Sequence, residues 1–165
     1  MTELTQARLK ELLHYNPDTG IFTRLTKPRN GLNIGDIAGS LHSNGYIVIE
    51  INYKKYKAHR LAWLYVAGSF PPDMMDHKNR IRNDNRFINL REATRGQNGA
   101  NGKRQSHNKS GKKGVCWNKG KGKWVAQISV RGKVKHLGVF TCKDKAHATY
   151  CKAADKYHGE FANHG

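Results

Sequence analysis

The sequence of 165 residues is poor in acidic side chains and cysteine, and it has no long apolar run. No stretch approaches the roughly 20 apolar residues that span a bilayer, so neither a membrane-spanning segment nor a membrane partner is expected. Its three cysteines, Cys116, Cys142 and Cys151, form no CxxC pair, which argues against a disulfide framework and a zinc knuckle. The amphipathic, acid-containing N-terminus does not resemble a signal peptide, and a reducing cytoplasm is predicted.

The shortage of acidic residues leaves a strong positive charge. The 30 Lys and Arg against 12 Asp and Glu give a formal net charge of +18, which predicts a polyanionic partner. Nucleic acid fits better than a membrane surface, because the basic residues are interleaved with Trp and Gly. Residues 1–98 carry 15 basic and 9 acidic side chains, whereas residues 99–165 carry 15 and 3. The length and this asymmetry predict two small domains.

The first part of the chain has the pattern of an α+β domain. Thr5 is placed to cap a short helix, and the turn-forming residues 16–20 follow it. Two apolar runs, 45–51 and 56–59, are close enough together to form a hairpin, and residues 59–67 have the spacing of a core helix.

A polar stretch from Asp76 to Leu90 then interrupts the folded pattern. It lacks apolar periodicity, although the segments on both sides have it, and therefore suggests a functional loop. Thr94 and Gln97 next fit a capping box, which begins a helix with Asn98 in its first turn.

Asp76, His77 and Asn98 offer a carboxylate, an imidazole and a carboxamide. Phosphodiester cleavage requires a base that produces hydroxide and a cation that neutralises the phosphate and the departing oxygen. Oxygen ligands favour Mg²⁺ or Mn²⁺, and a histidine of ordinary pKa, near roughly 6.5, is a suitable base. Strand neighbours point to opposite faces, so Asp76 and His77 can act together only where the strand ends or twists. The residues alone leave open an ordinary surface histidine.

Residues 59–101 resemble the phage-type HNH (His-Asn-His) endonucleases, which include free-standing and intron-encoded homing enzymes. The matching elements occur in the family's order: His59-Arg60-Leu61, Asp76-His77, Asp84-Asn85, Asn89-Leu90-Arg91, Ala93-Thr94 and Gln97-Asn98. The resemblance implies a ββα-metal (His-Me finger) nuclease core at about residues 59–101, with two strands and a helix around one divalent metal ion.

Carried over by position, the resemblance makes His77 the general base and makes Asp76 and Asn98 the ligands of one Mg²⁺ or Mn²⁺. Asn89 becomes the middle residue, which orients the loop and does not touch the substrate. His59 also matches a family position, but a structural role on the core helix is expected for it.

The polar loop departs from the family pattern at one position. The family often has glycine where this chain has Arg80, which affects the local turn more than the chemistry. Arg80, Arg82 and Arg86 would suit phosphate contacts, or they are ordinary solvated loop charges.

These patterns predict two domains joined by a linker. The nuclease domain comprises residues 1–98, the flexible basic linker residues 99–113 and the second folded domain residues 114–165. The linker has no large apolar side chain. The second domain is predicted to be a small three-stranded antiparallel sheet packed on one helix, which spans residues 144–157.

Residues 114–163 resemble the plant ethylene-response-factor (APETALA-type) DNA-binding domain, which also occurs fused to phage and bacterial HNH nucleases. The matching elements are Gly114-Val115, Trp124 to Ile128, His136 to Gly138, Phe140, and Gly159 to Ala162. The resemblance implies that the sheet face opposite the helix lies in the major groove. The plant domain has arginine where this chain has Cys116, so its base contacts are not transferred.

Strand alternation supplies candidate DNA contacts from the residues themselves. The even-numbered residues of 124–130 are predicted to pack on the helix and the odd-numbered ones to face outward. Gln127 and Arg131 can make bidentate contacts with base edges, and Ser129 lies between them. Trp117 either stacks on a sugar or covers the core, and we place it on the groove face. The residues better suited to phosphates are Lys119, Lys121, Lys123, Lys133 and Lys135. RNA binding or a purely structural sheet is the alternative.

Together these features predict a metal-dependent endonuclease that nicks or cuts double-stranded DNA at sites chosen by the C-terminal sheet. By resemblance it is phage-encoded, of homing type, and active in the host cytoplasm. No small-molecule cofactor is expected, and the oligomeric state is left open. The alternative is a DNA-binding transcriptional regulator whose HNH-like region is only a scaffold, but the intact Asp76, His77 and Asn98 favour the nuclease.

Overall fold

The computed structural model describes residues 3–27 and 31–165. The chain divides into two compact units, Met1–Glu92 and Ala93–Gly165, called unit 1 and unit 2 below. Asn98 belongs to unit 2, whereas it is predicted to lie in the nuclease domain. The predicted domain boundaries stay a prediction. Within the described residues, no helix has the length and apolar character needed to cross a membrane.

Unit 1 is a mixed α/β fold with small sheets. In chain order its elements are α1 (Gln6–Leu12), β1 (Leu13–Asn16), β2 (Ile21–Arg24), β3 (Ser40–Leu41), β4 (Ile47–Ile51), β5 (Lys54–Lys57), α2 (Ala58–Ala67), β6 (Met74–His77), a short 3-10 helix (Phe87–Asn89) and β7 (Leu90–Ala93). β1 and β2 form an antiparallel hairpin, β3, β4 and β5 form an antiparallel sheet in that order, and β6 lies beside β7.

Local sequence explains how these elements begin and end. The Thr5 side chain accepts a hydrogen bond from the Arg8 backbone N–H, which confirms the predicted cap of α1. Asn52 and Tyr53 have φ of 49° and 62°, and two left-handed residues close the predicted β4–β5 hairpin tightly. α2 ends at Gly68, whose φ of 86° is the conformation that commonly terminates a helix.

The core of unit 1 forms around α2. Its apolar residues recur at helical spacing and are buried against α1, the β1–β2 hairpin and β4. Met75 of β6 and Leu90 of β7 belong to the same cluster. Burial of a side chain of this size contributes about 1.5–3 kcal/mol. The two strands that carry the candidate site residues are therefore anchored in the core.

Unit 2 is a three-stranded sheet packed on one helix, as the alternation predicted. Its elements are α3 (Arg95–Asn101), β8 (Val115–Asn118), β9 (Lys123–Val130), β10 (Lys133–Phe140), α4 (Lys143–His158) and a short 3-10 helix (Gly159–Phe161). The antiparallel order is β10–β9–β8. Its buried core consists of sheet and α4 side chains: Val115, Ala126, Ile128, Ala146, Tyr150 and Ala154.

Residues 99–113, predicted as a flexible linker, form hydrogen bonds within unit 2. The Ser110 hydroxyl donates to the Val115 carbonyl oxygen at 2.7 Å. Asn163, near the end of the sequence, donates from Nδ2 to the Gly102 carbonyl oxygen at 2.8 Å. The segment therefore takes part in hydrogen bonds with other residues of unit 2, and its flexibility stays a prediction.

Gly114 is expected to tolerate no side chain. Its φ is +71°, and a Cβ atom there would lie 1.9 Å from Cδ2 of Tyr150 on α4. We expect Gly114→Ala to destabilise unit 2 by at least about 2 kcal/mol, because left-handed strain and displacement of a buried ring add together. Urea denaturation followed by circular dichroism measures this loss.

Gly120→Ala is the matched control, since a Cβ atom at that glycine would have only Asn118 Oδ1 nearby, at 3.6 Å. If the Gly114 and Gly120 variants were equally stable, the close packing of Tyr150 on Gly114 would be contradicted.

Candidate active site

Asp76 and His77 are the last two residues of β6. Both are buried, with exposed fractions of 5% and 4%. The chain turns immediately afterwards, and the Arg80 N–H donates to the His77 carbonyl oxygen at 2.8 Å. Asp76 and His77 therefore stand at the end of a strand, which is the position that allows both side chains to act on one phosphate.

The Asp76 carboxylate is bound by an arginine of the neighbouring strand. Nε and Nη2 of Arg91 in β7 donate to Oδ2 of Asp76 at 2.9 and 2.8 Å. The Arg91 and Asp76 side chains are only 11% and 6% exposed. Water screens such a pair little, so each charge depends on the other.

An amide holds His77 in place. Its Nε2 lies 3.3 Å from Oδ1 of Asn85, which is itself buried. Burial lowers the pKa of His77 from 6.5, while the bond to Asn85 and the charge of Asp76 partly oppose that shift. His77 is therefore neutral near pH 7. Because an amide oxygen only accepts, the paired tautomer carries its proton on Nε2, and Nδ1 holds the lone pair.

Two further rings surround His77. The His59 ring on α2 meets it edge-on at a centroid distance of 5.0 Å, and the Tyr46 ring lies 6.0 Å from it. Burial, and secondly the proximity of His77, lower the pKa of His59 to about 3. Within residues 3–27 and 31–165, the buried Nδ1 of His59 has no hydrogen-bond partner. His59 is thus a neutral ring packed against the candidate base.

Asn89 closes the loop between β6 and β7. Its Oδ1 accepts from the Asn79 N–H at 3.0 Å, and its Nδ2 donates to the Asp84 carbonyl oxygen at 2.8 Å. The Asp84 side chain accepts from Arg86 and from Asn79, and the bond to Arg86 is the main cause that lowers the pKa of Asp84 to about 2. The loop is therefore cross-linked internally by side chains.

The β1–β2 hairpin supports this loop from outside the motif. The Tyr15 hydroxyl donates to the Asn85 carbonyl oxygen at 2.6 Å, and the Phe87 N–H donates to the Pro17 carbonyl oxygen at 3.0 Å. Gly20 in the hairpin turn has φ of 74°, and a Cβ atom there would lie 2.5 Å from the Asn85 carbonyl carbon. The backbone of the turn therefore packs directly on the residue that holds the histidine.

The three loop arginines are exposed, and Arg86 and Arg82 contact residues of unit 1. Arg86 pairs with Asp84 at 2.6 Å, and Arg82 Nη1 donates to the Asn44 carbonyl oxygen at 2.8 Å. Arg80 has φ of 65°. This left-handed turn explains why glycine is common at the corresponding position of the resembled family.

Asn98 lies in the first turn of α3, in unit 2. The predicted capping box is confirmed, since Thr94 Oγ1 accepts from the Gln97 N–H and Gln97 Oε1 accepts from the Thr94 N–H. A shared site of Asn98 and Asp76 stays a prediction. Among residues 3–27 and 31–165, no three His, Cys, Asp or Glu side chains are grouped to hold a metal ion.

The sheet of unit 2 presents a polar face opposite α4. Gln127 and Ser129 are exposed on this face and pair in register with His136 and Val134 of β10. Arg131, in the turn between the strands, is also exposed. These are the positions that alternation assigned to base contacts.

Two of the predicted phosphate contacts lie on the other face. Lys133 and Lys135 are exposed, but their register partners are Val130 and Ile128, which face α4. Lys135 Nζ donates to the hydroxyl of Tyr157 on α4. Strand register therefore separates these two lysines from the polar face.

Trp117 is likewise on the helix side, so the prediction that it lies on the groove face is wrong. It pairs with Trp124, with ring centroids 4.9 Å apart, and Trp124 packs on the core beside α4. Trp117 remains 48% exposed. It lines a cleft of about 570 Å³ together with Lys119 and Gln127. Lys121 and Lys123 are exposed nearby in sequence.

Comparison with known families identifies the part of the chain that carries His77. Residues 56–100 match the family model of the HNH endonucleases. The chain therefore contains an HNH endonuclease domain. The match extends from β5 into α3 and includes Asp76, Asn85 and Arg91. Comparison with curated proteins and with solved structures gave no match.

The structure adds two residues to the HNH site that sequence reasoning did not select. Asn85 binds His77, and Arg91 binds Asp76. Both stand in motif elements that were recognised, but their side-chain partners lie 8 and 15 positions away. The motif elements pointed to both positions, but nothing in the sequence indicated which side chains they contact.

The buried His59 predicts acid sensitivity of the HNH domain. Its pKa in the folded protein is about 3, so between that pH and 6.5 the unfolded chain binds one more proton. His59 therefore does not lower the free energy of unfolding above pH 6.5, and it lowers that free energy increasingly as the pH falls below 6.5. From pH 7 to pH 5 the loss due to His59 is about 2 kcal/mol. Urea denaturation in EDTA at both values measures it.

His59→Asn is expected to lose less stability than wild type over this interval, by that amount. His14→Asn is the control, because His14 is exposed on β1. Equal acid sensitivity of wild type and His59→Asn would show that His59 is not buried in its neutral form.

Proposed function

We propose that this protein is a metal-dependent endonuclease that hydrolyses phosphodiester bonds of double-stranded DNA. The observation that carries the proposal is the buried, neutral His77 beside Asp76 within the HNH endonuclease domain. A neutral imidazole in a buried site is suited to accept a proton at cellular pH.

His77 acts as the general base. Nδ1 takes a proton from water, the water oxygen attacks phosphorus, and the bond from phosphorus to the departing sugar oxygen breaks. Asn85 fixes the tautomer by accepting from Nε2, and Asn89 orients the loop between the two strands. Neither asparagine needs to touch the substrate for this role.

Asp76 and Asn98 are the proposed ligands of one Mg²⁺ or Mn²⁺ ion. The donors fit, because carboxylate and amide oxygens are the ligands that these ions prefer. The Asp76 carboxylate is also stabilised by a cationic group already, the Arg91 guanidinium. When bound, the metal would stabilise negative charge on the scissile phosphate and on the departing oxygen.

Unit 2 selects the DNA site in this proposal, in the manner of the APETALA-type domain that it resembles. Gln127, Ser129 and Arg131 are the candidates for base contacts, since all three are exposed and two share the polar sheet face. Phosphates are contacted by Lys119, Lys121 and Lys123, and by Arg80, Arg82 and Arg86 of the nuclease loop.

We further propose, from the resemblances alone, that the enzyme is phage-encoded, of homing type and active in the host cytoplasm. A second candidate is a DNA-binding regulator with an inactive HNH scaffold. The pairing of Asp76 with Arg91 favours this alternative, because a cationic side chain already occupies a carboxylate oxygen of the proposed metal site.

Nicking of supercoiled plasmid distinguishes the two candidates. We expect wild type to nick in Mg²⁺ or Mn²⁺ and not in EDTA. His77→Ala should lower the rate at least about 100-fold, because a base contributes that much to proton transfer. Its affinity for DNA should stay within about threefold, since a transition-state function is lost and not a phosphate contact.

His14→Ala controls for loss of a histidine from the same unit, and it should nick at the wild-type rate because His14 is exposed on β1. Activity of His77→Ala equal to that of this control would contradict the assignment of the base. Absence of nicking by wild type with any divalent metal would favour the regulator.

Binding experiments on the full chain should distinguish the base contacts of unit 2 from its phosphate contacts. Duplexes enriched from a random pool by His77→Ala protein in EDTA provide a specific probe. Gln127→Ala should reduce the preference for enriched over random duplex, because the amide can read a base edge. Lys121→Ala should weaken binding to the enriched and the random duplex alike. The slope of the logarithm of the binding constant against the logarithm of the salt concentration should fall in magnitude by about 0.9, the value for one phosphate.

Titrations of both variants across salt concentrations, with duplex RNA as competitor, provide the measurement. If Gln127→Ala and Lys121→Ala behaved alike on the two probes, the polar sheet face would not be the reading surface. Equal competition by duplex RNA would favour the RNA-binding alternative.

A further inference from the structure

Arg91 is a charged group that contacts the proposed metal ligand and that the proposed mechanism does not use. It reaches Asp76 from the adjacent strand through two donors, Nε and Nη2, and both donors meet the same oxygen, Oδ2. The two side chains are nearly buried, at 11% and 6% exposed. The pair is therefore a fixed part of the site and not a surface ion pair.

The charge of Arg91 opposes a metal ion at Asp76. A divalent cation bound to this carboxylate would stand within about 5 Å of the guanidinium, and at the effective dielectric of a protein that repulsion is many times the thermal energy. The carboxylate is also already neutralised, so the metal gains less from it. Both effects lower the metal affinity of the DNA-free protein.

A DNA phosphate changes this balance. A guanidinium binds phosphate through the same parallel N–H donors that it offers to a carboxylate. A phosphate that arrives beside the metal site gives Arg91 a second anionic partner, and Asp76 Oδ2 is then released to the metal.

We propose that Arg91 is a resident counter-cation of Asp76 which keeps metal affinity low until DNA phosphate binds, so that metal and DNA bind cooperatively. This inference rests on the proposed function, because it assumes that Asp76 is a metal ligand. Arg91 is accordingly a positioning residue, which acts through Asp76 and through the phosphate.

Mn²⁺ affinity of the DNA-free protein tests the first half. Free Mn²⁺ is measured by electron paramagnetic resonance during titration of wild type and Arg91→Gln. Arg91→Gln should bind Mn²⁺ at least about tenfold more tightly, because the repelling charge is gone. Unchanged or weaker binding would overturn the proposal.

Three variants make the result specific. Asp76→Asn should abolish the tight site in the Arg91→Gln background, which places the ion at Asp76. Arg8→Gln removes the same charge from the exposed pair with Glu11 and should leave Mn²⁺ affinity within about threefold of wild type. Arg91→Lys keeps the charge and should remain as weak as wild type. Tight binding by Arg91→Lys would contradict the role of charge.

Arg91→Gln leaves a buried carboxylate without its guanidinium, so thermal unfolding is measured in parallel. It should be less stable than wild type in EDTA and gain more stability from Mn²⁺ than wild type does. If Arg91→Gln does not fold in EDTA, recovery of the fold with Mn²⁺ supports the proposal. Failure to fold with Mn²⁺ while Arg91→Lys binds Mn²⁺ tightly would overturn it.

The second half is tested by the effect of Mn²⁺ on binding of a random duplex, in the His77→Ala background that prevents cleavage. The ratio of duplex affinities with and without Mn²⁺ is measured for the protein with Arg91 and for Arg91→Gln. This ratio should be at least about fivefold larger when Arg91 is present. An equal factor would overturn the transfer of Arg91 to phosphate. The Mn²⁺ titration needs neither DNA nor cleavage, so a failed nicking assay and a failed counter-cation remain distinguishable.

Discussion

The buried bond between His77 and Asn85 is the contact on which the arrangement of the site depends. A histidine that is 4% exposed has little water to bond its ring nitrogens, and Asn85 Oδ1 accepts a hydrogen bond from Nε2 at 3.3 Å. Asn85 is itself held through its carbonyl oxygen by Tyr15, at 2.6 Å. The position of the base candidate therefore depends on Tyr15 in the β1–β2 hairpin, which lies 70 positions before Asn85.

Much of the local structure follows from the sequence, because its causes are local. The cap at Thr5, the capping box at Thr94 and the alternation of β9 each involve residues within a few positions of one another. The sheet-and-helix form of unit 2 could be predicted for the same reason. The candidate base and metal ligand at the end of β6 could be selected because the motif elements stand in a fixed order.

The remaining features depend on distant partners, which a single sequence does not reveal. Val125 was predicted to face outward, yet it is only 8% exposed, because it lies in register between Cys116 and Val139. The helix-side position of Lys135 similarly follows from the pairing of β10 with β9 and not from its own neighbours. The partner of Arg91 could not be predicted from the sequence, since its contact with Asp76 exists only once β6 and β7 lie side by side.

The support that the β1–β2 hairpin gives to the loop has a consequence for how such a site is inherited. The recognisable family segment begins at residue 56, whereas Tyr15 and Gly20 lie well before it. A gene fragment encoding residues 56–100 alone, moved by recombination into another reading frame, would carry His77 without the backbone that fixes its partner. The segment that must be transferred together is therefore longer than the family motif at residues 56–100, and it should include the β1–β2 hairpin.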